Sequence, residues 1–167
     1  LDSLTGWGGK DALELGCGIG DVAAFLTAER GYRAVGTDVD AAQVALARAR
    51  HGERPGLRFV EADGGQLEFP AASFDLVVSQ NVFHHIPDWR AAVREIGRVL
   101  RPGGHLLWLD LTPQAWLKPL LRPLRSQFGV YTLEEIRAAF RERGFVELAA
   151  RQITPLVPWR HEVIWRR

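Results

Sequence analysis

The segment Asp11–Gly20 constrains the fold of this chain most, because its apolar run breaks into three glycines at alternate positions, Gly16, Gly18 and Gly20. A short apolar run is typical of an interior strand, and glycines permit the positive φ angles of a tight turn. The following residues, Asp21–Arg30, have apolar side chains at helical spacing. The segment therefore predicts a strand, a glycine turn and a helix. In an open α/β sheet such a turn lies at the carboxyl ends of the strands, where ligands bind.

Carboxylates mark three predicted strands. Glu14 lies in the first strand, Asp38 ends the run Arg33–Asp38, and Asp63 ends the run Leu57–Asp63. The carboxyl ends of parallel strands meet at one edge of a sheet. We therefore expect the three acids to face a common ligand.

Asp38 follows the glycine turn at the distance at which a βαβ nucleoside site has an acid that accepts hydrogen bonds from ribose hydroxyls. The alternative is that Asp38 caps the helix that begins at Ala41. Asp40 is better placed for that cap, so we favour the ribose role for Asp38.

The order of the glycines separates this turn from the dinucleotide-binding fingerprint G-x-G-x-x-G. Here the order is G-x-G-x-G, and Asp21 occupies the position of the fingerprint's third glycine. A carboxylate at the start of a helix disfavours a diphosphate ligand. An NAD-dependent oxidoreductase is therefore the less favoured interpretation. A turn that only packs the strand against the helix is the alternative without a ligand.

Four segments resemble motifs of the class I S-adenosylmethionine (SAM) dependent methyltransferases. The resemblance is to the small-molecule branch of this family, whose members are similar to methyltransferase type 11. Glu14–Gly20 is similar to motif I, E/D-x-G-x-G-x-G, and Phe74–Ser79 is similar to motif II. Ser79–Asp88 is close to S-x-x-x-x-H-H-[IL]-x-D, and Leu100–Gly104 matches the hinge L-[KR]-P-G-G. Together the matches cover residues 11 to 110 in the family's order and spacing.

The resemblance implies SAM as the cofactor and assigns roles at the strand ends. In this family the acid after the third strand binds the adenine amine, and the backbone after it reaches the ring nitrogens. Asp63 and Gly64 match these positions, although a simple turn role for Asp63 is the alternative. The expected cofactor-binding residues are Glu14, Gly16, Cys17, Gly18, Gly20, Asp38, Val39, Asp63, Gly64 and Gln80.

His84 and His85 follow the fourth predicted strand, in a loop that borders both the substrate and the methionine end of the cofactor in this family. Adjacent side chains cannot share one face, so at most one imidazole is expected to enter the cleft. We predict that one of them orients the substrate or accepts a proton. Anchoring of the loop and surface exposure are the alternatives. Neither histidine has zinc-motif spacing, and we predict no metal.

The resemblance also implies the fold. The implied fold is an α/β fold of the Rossmann-like, doubly wound type. Its seven-stranded sheet is mostly parallel, has the strand order 3-2-1-4-5-7-6, and has an antiparallel last strand. Residues 1–167 have the size of a single domain. Further helices are expected from periodicity over 41–50, 88–100 and 133–143, with Asp88 as an N-cap and a capping box at Thr132–Glu135. Further strands are expected over 105–110, 145–153 and 162–165.

The segment Leu111–Tyr131 interrupts the α/β alternation. It combines apolar side chains and prolines with three basic residues, Lys118, Arg122 and Arg125, which predicts a short amphipathic helical insertion. In this family, insertions at this place often cover the substrate pocket. The resemblance therefore implies a substrate roof over 111–131 and a partly apolar acceptor. An apolar flap packed on the core is the alternative.

Composition limits the classes of partner. The chain has 47% hydrophobic and 25% charged residues, as globular proteins do, and no apolar run long enough to span a bilayer. Its formal net charge of +1 gives no general attraction to nucleic acid. The single cysteine, Cys17, lies between two glycines and is interpreted as a small apolar spacer. One cysteine fits a reducing cytoplasm, which is the expected location.

We therefore predict SAM-dependent methyl transfer to a small, partly apolar acceptor, with His84 and His85 as candidate catalytic residues. A methyltransferase-like subunit that serves a partner without activity of its own is the alternative. Only the short segment Leu1–Gly9 precedes the first strand, where family members commonly have one or two helices. We expect an open cleft, weak SAM affinity and slow turnover for this chain alone. Upstream sequence or a partner that covers the cleft is expected to restore both.

Overall fold

The computed structural model describes residues 10–124, 126–154 and 157–167. The segment Leu1–Gly9, on which the expectation of a missing lid depends, lies outside the described residues, as does Arg125. The strands are β1 (Asp11–Leu15), β2 (Arg33–Asp38), β3 (Leu57–Glu61), β4 (Phe74–Gln80), β5 (Leu100–Leu111), β6 (Val146–Thr154) and β7 (Val157–Arg166). The helices are α1 (Asp21–Arg30), α2 (Ala41–His51), α3 (Trp89–Val99), α4 (Lys118–Leu121) and α5 (Leu133–Arg141).

The seven strands form one sheet in the order β3-β2-β1-β4-β5-β7-β6. Strands β1 to β5 are paired with one another in parallel, and β7 is antiparallel to both β5 and β6. The expected doubly wound, mostly parallel fold is confirmed. Because β1 lies between β2 and β4, its carboxyl end is the point where the strand order reverses, which is the usual ligand position in such sheets.

Side chains cap three helices at the positions that the sequence predicts. Asp40, Asp88 and Thr132 accept hydrogen bonds from backbone N–H groups in the first turns of α2, α3 and α5. The Glu135 side chain completes a capping box with Thr132. Since Asp40 caps α2, the side chain of Asp38 is not needed for that cap.

Helices cover both faces of the sheet and produce two apolar clusters. Helices α3 and α5 pack on one face, where Trp108, Phe140 and Trp165 are fully buried. Helices α1 and α2 pack on the other face, around Leu26 and Phe59. The site therefore lies at the edge of a sheet that is rigidly supported from both sides.

Three strand boundaries differ from the expectation by two residues or more, and one of them is the start of β7, which lies at Val157 rather than Glu162. Strand β3 ends at Glu61, so Asp63 lies beyond the strand rather than at its end. Strand β5 begins at Leu100 rather than His105. The reason is a distant partner, because the Gly103 N–H donates to the Arg167 carbonyl oxygen and the Arg167 N–H donates to the Gly104 carbonyl oxygen. The hinge is thereby paired with the end of β7.

The insertion consists of short helical pieces. A 3-10 turn at Ala115–Leu117 leads into α4, and a second 3-10 turn covers Arg122–Leu124. Prolines at 119 and 123 lack the N–H that a longer helix needs, which keeps the pieces short. None of the described helices has both the length and the apolar character needed to cross a membrane.

Candidate active site

The glycine turn between β1 and α1 has a left-handed backbone. Gly16, Gly18 and Gly20 have φ angles of 68°, 50° and 83°, which L side chains rarely adopt. The Cys17 N–H donates to the Thr37 carbonyl oxygen at 2.7 Å, and the Gly20 N–H donates to the Cys17 carbonyl oxygen at 2.8 Å. These bonds close the predicted turn and fasten it to β2.

The space around the three glycines shows where a ligand can approach. A Cβ at Gly16 would lie 2.3 Å from a methyl carbon of Val82, and one at Gly20 would lie 2.4 Å from the Phe59 ring. At Gly18 the nearest side-chain atom would be 3.9 Å away. All three glycines are among the expected cofactor-binding residues. Protein side chains occupy the space at two of them, and Gly18 alone of the three borders open space.

Asp38 ties the end of β2 to the glycine turn. One carboxylate oxygen accepts a hydrogen bond from the Gly18 N–H at 2.9 Å, and the other accepts one from the Asp40 N–H at 3.1 Å. Each carboxylate oxygen has two lone pairs, so both oxygens retain acceptor capacity. Asp38 is half-buried beside the open space at Gly18.

Glu14 lies beneath the amino end of α1. Its carboxylate accepts a hydrogen bond from the Ala23 N–H at 2.8 Å, and the residue is 5% exposed. Burial raises the pKa of Glu14 from about 4.5 to about 8; the Ala23 hydrogen bond opposes this rise, and the charges of Asp21 and Asp38 add to it. The one hydrogen bond that the structure shows for this side chain goes to α1, so its predicted contact with the cofactor stays a prediction.

Replacing Glu14 with glutamine is expected to stabilise the fold at alkaline pH. The carboxyl pKa is about 8 in the folded chain and about 4.5 ordinarily. Folding therefore takes up a proton between these values, and the stability falls as the pH rises through this window. Gln keeps an oxygen for the Ala23 N–H and has no charge to desolvate. We expect a gain of roughly 2–4 kcal/mol at pH about 9 and little change at pH about 4. Urea unfolding at both pH values measures the gain in stability. An equal gain at both pH values would contradict the buried carboxylate charge as its cause.

Asp63 begins a turn after β3. Its carboxylate accepts a hydrogen bond from the Gly65 N–H at 2.8 Å, which is the turn role that the sequence left open. The side chain is exposed, and it borders a cleft of about 590 Å³ together with Val39 and Phe69. Gly64 is buried against Leu15. Asp63 forms the turn and also faces the cleft.

The other predicted cofactor residues have different surroundings. Val39 is exposed at the same cleft, and Gln80 is half-buried at the end of β4. Cys17 is buried, and burial together with the nearby Glu14 and Asp38 raises the pKa of its thiol to about 12. A thiol with this pKa is a poor nucleophile at neutral pH, which agrees with the spacer role.

His84 forms a dyad with Asp110, which lies near the end of β5. The His84 Nδ1 is 2.5 Å from an Asp110 carboxylate oxygen. The Asp110 side chain is fully buried, and it also accepts hydrogen bonds from the N–H groups of Val82, Phe83 and Leu111 at 2.6–2.8 Å. Because a carboxylate only accepts, it favours the His84 tautomer with the proton on Nδ1. The Nε2 of His84 is then an acceptor.

His85 lies beside His84 but has different contacts. The two rings are 4.0 Å apart between centroids, and the His85 ring is 6.2 Å from the ring of Phe128. Partial burial and the neighbouring His84 lower the pKa of His85, while Asp110 acts in the opposite direction. The residue is exposed. The two rings are therefore in contact, and of the two only His84 bonds to Asp110 among the hydrogen bonds of the described residues. That at most one imidazole enters the cleft stays a prediction.

An apolar groove of about 490 Å³ lies between the insertion and the ends of β5 and β7. Among its lining residues, only His84 has an ionisable side chain. Such a groove suits an apolar ligand whose single polar group lies at the imidazole. The lining residues are His84, Leu111, Pro113, Leu117, Leu121, Leu124, Phe128, Gly129, Val130 and Trp159.

Two residues of this region were not among the predicted site residues. Asp110 is a carboxylate at the end of the apolar run His105–Asp110, which is the same signal that marked Asp38. Trp159 had no such signal, because it reaches the groove only through the pairing of β7 with β5. The Thr112 N–H donates to the Trp159 carbonyl oxygen at 2.6 Å.

Comparison with known sequences identifies related proteins. The family described as "Methyltransferase domain" matches residues 13–108, which is more than half of the chain. A phthiotriol/phenolphthiotriol dimycocerosates methyltransferase of Mycobacterium leprae is 42% identical over 106 residues, which are 63% of this chain and 39% of that protein. A fatty-acid O-methyltransferase of Mycolicibacterium smegmatis is 38% identical over 109 residues, which are 64% of this chain and 39% of that protein. The chain thus spans about two fifths of the length of these relatives.

Comparison with solved structures agrees on the fold. An S-adenosylmethionine dependent methyltransferase from Mesorhizobium loti has a TM-score of 0.84 over 99% of this chain and 94% of that chain, at 23% identity. The family match runs from β1 into β5. It therefore includes the glycine turn, the strand-end acids and the loop with both histidines, and on this match the chain belongs to the methyltransferase domain family.

Proposed function

We propose that this chain binds SAM at the carboxyl ends of β1 to β4 and methylates an apolar acceptor in the groove beside His84. Membership of the methyltransferase domain family supports the reaction type. The observation that carries the acceptor class is the groove of about 490 Å³, whose one ionisable lining side chain belongs to the His84–Asp110 dyad.

The residues at the strand ends fit the chemical groups of SAM. Open space at Gly18 admits a ligand to the backbone of the turn. The remaining acceptor capacity of Asp38 suits ribose hydroxyls, and the exposed carboxylate of Asp63 suits the adenine amine. Gln80 at the end of β4 would lie toward the methionine part. When bound, SAM supplies a methyl group on a sulfonium for in-line displacement by the acceptor.

The residues of the groove hold and activate the acceptor. Apolar side chains such as Leu121 and Phe128 bind its carbon chain and keep water away. The His84 Nε2 accepts the proton of a hydroxyl acceptor, and Asp110 orients the ring and stabilises the imidazolium that forms. Asp110 needs no rearrangement for this, because three backbone N–H groups already hold its carboxylate. A base is useful for an alcohol or phenol, whereas a carboxylate is already ionised at neutral pH.

The relatives agree with an apolar acceptor. One is named a fatty-acid O-methyltransferase and the other a phthiotriol/phenolphthiotriol dimycocerosates methyltransferase. The dyad adds a preference among apolar acceptors. We propose a long-chain molecule with a hydroxyl group at the end that reaches His84.

Methyl transfer from labelled SAM tests this proposal. The acceptors are a phenol with a long alkyl chain and the same phenol without the chain. We expect kcat/KM to be at least about ten-fold higher for the long-chain phenol, because several methylene groups become buried in the groove. Equal rates for both phenols would contradict the apolar acceptor. SAM binding without transfer to any acceptor would favour the non-catalytic subunit, and tighter binding of NADH than of SAM would overturn the whole proposal.

Replacing Asp38 with alanine is expected to weaken SAM binding by roughly 1.5–3 kcal/mol, the loss of hydrogen bonds to a charged group. Isothermal titration calorimetry measures it. Asp40→Ala is the matched control, because it removes the cap of α2 and is expected to cost about 1 kcal/mol of stability without a change in SAM affinity. Equal losses of affinity in both variants would mean that the Asp38 effect is structural.

A further inference from the structure

The outer surface of the insertion has a patch of exposed apolar side chains. Trp116 and Leu120 are 68% and 72% exposed, and Leu124 and Phe128 are 43% and 38% exposed. We call these four residues the insertion patch. They recur at every fourth position of one short segment. Clustered apolar side chains of this size in contact with water mark a binding surface.

The insertion patch is continuous with the apolar groove. Leu124 and Phe128 belong to the patch and also line the groove beside His84. Leu117 and Leu121, each next in sequence to a patch residue, line the groove as well. A molecule that leaves the patch past Leu124 and Phe128 therefore enters a groove whose one ionisable lining side chain is that of His84.

The charge of this segment has one sign. From Leu111 to Leu133 the sequence has three basic residues, Lys118, Arg122 and Arg125, and no acidic residue. The Lys118 ammonium pairs with Glu135 at 2.5 Å, which fastens the insertion to α5. A segment with tryptophan and leucine on an exposed face and an excess of basic residues has the composition of an interfacial membrane segment.

Trp116 is suited to such an interface. Its indole N–H donates to the Gln114 side-chain oxygen at 2.7 Å. The polar edge of the ring is thereby satisfied within the protein, and its apolar faces are free to contact lipid.

We propose that the insertion patch docks on the surface of an anionic lipid bilayer, from which the acceptor enters the groove. The docking stands by itself, whereas the delivery of an acceptor rests on the proposed function. A second copy of the chain fits the patch less well. A two-fold interface would join two segments that each have three basic residues and no acidic residue in sequence, and like charges at an interface are repulsive. An anionic bilayer attracts the same residues.

Vesicle co-sedimentation of the full chain tests the docking. The vesicles contain either phosphatidylcholine alone or equal parts of phosphatidylcholine and phosphatidylglycerol. We expect binding to the anionic vesicles to be at least about ten-fold stronger, and to weaken with added salt. The double variant Trp116→Ser, Leu120→Ser is expected to bind these vesicles at least about ten-fold more weakly, because two large apolar side chains no longer enter the lipid.

The matched control is Leu46→Ser, Leu148→Ser, which removes two exposed leucines from α2 and β6. It is expected to bind vesicles like the unaltered chain. Equal loss in both double variants, or no binding by the unaltered chain, would overturn the docking. A dimer in velocity sedimentation that is lost in the patch variant, without any vesicle binding, would assign the patch to a second copy instead.

The assay also separates docking from methyl transfer. Transfer is measured with the acceptor dispersed in detergent, where no bilayer is needed. Vesicle binding without transfer would leave the docking standing and contradict the proposed function. Transfer from detergent without vesicle binding would contradict the docking and leave the proposed function standing.

Discussion

Replacing His84 with alanine is expected to lower the turnover of methyl transfer to a hydroxyl acceptor by about 10²- to 10⁴-fold, the usual contribution of a positioned base. The reason is the dyad, in which an Asp110 carboxylate oxygen lies 2.5 Å from the His84 Nδ1 and leaves Nε2 as the proton acceptor of a side chain that lines the groove. SAM affinity is expected to change by no more than a few-fold. Labelled methyl transfer and calorimetry measure the two quantities.

The fold is expected to survive this substitution, because the Asp110 carboxylate keeps its hydrogen bonds from three backbone N–H groups. His85→Ala is the matched control, since His85 lies in the same loop, is exposed and has no hydrogen bond to Asp110 among those that the structure describes. We expect this control to keep its turnover within a few-fold. If both variants lost turnover, SAM affinity and melting temperature together, the loop would be a structural anchor and His84 would not be the base.

Replacing Gly20 with alanine is expected to destabilise the fold by about 2–5 kcal/mol. A left-handed backbone costs an L residue about 1–2 kcal/mol, and overpacking adds about 1–3 kcal/mol. Gly20 has a φ of 83°, and a Cβ there would lie 2.4 Å from the Phe59 ring and 3.0 Å from the Ala47 methyl group. Urea unfolding of the ligand-free chain measures the loss.

Gly31→Ala separates the two causes. Gly31 also has a left-handed backbone, with a φ of 71°, but nothing lies within 4 Å of a Cβ there. This control is expected to lose only the conformational part, about 1–2 kcal/mol. In a Phe59→Leu background the extra loss at Gly20 is expected to shrink, because the neighbouring ring is gone. Equal losses at Gly20 and Gly31 would show that Phe59 moves aside without cost.

The local structure around the caps follows from the sequence because its causes are local. The Thr132–Glu135 capping box and the Asp40 cap depend on hydrogen bonds between residues two or three positions apart. The turn at Gly18 depends on a backbone conformation that glycine allows. The strand order was a different kind of prediction, since it came from the family resemblance and was then confirmed.

The wrong start of β5 depends on a distant partner. The hinge at Arg101–Gly104 belongs to β5, because Arg167 pairs with Gly103 and Gly104. No pattern within the hinge itself indicates that pairing, since proline and glycines ordinarily interrupt a strand. A local signal therefore gave the wrong start of the strand.

The candidate site also combines features with local causes and features that depend on contacts between distant segments. Short patterns and the family resemblance predicted that the glycine turn, the acids and the two histidines lie at one edge of the sheet, because strand ends and turns can be recognised from short patterns. The folded structure was needed to show that His84 meets Asp110, that Phe59 fills the space at Gly20, and that Trp159 joins the groove. These contacts join segments far apart in the chain, and close packing between segments has no signature within either one.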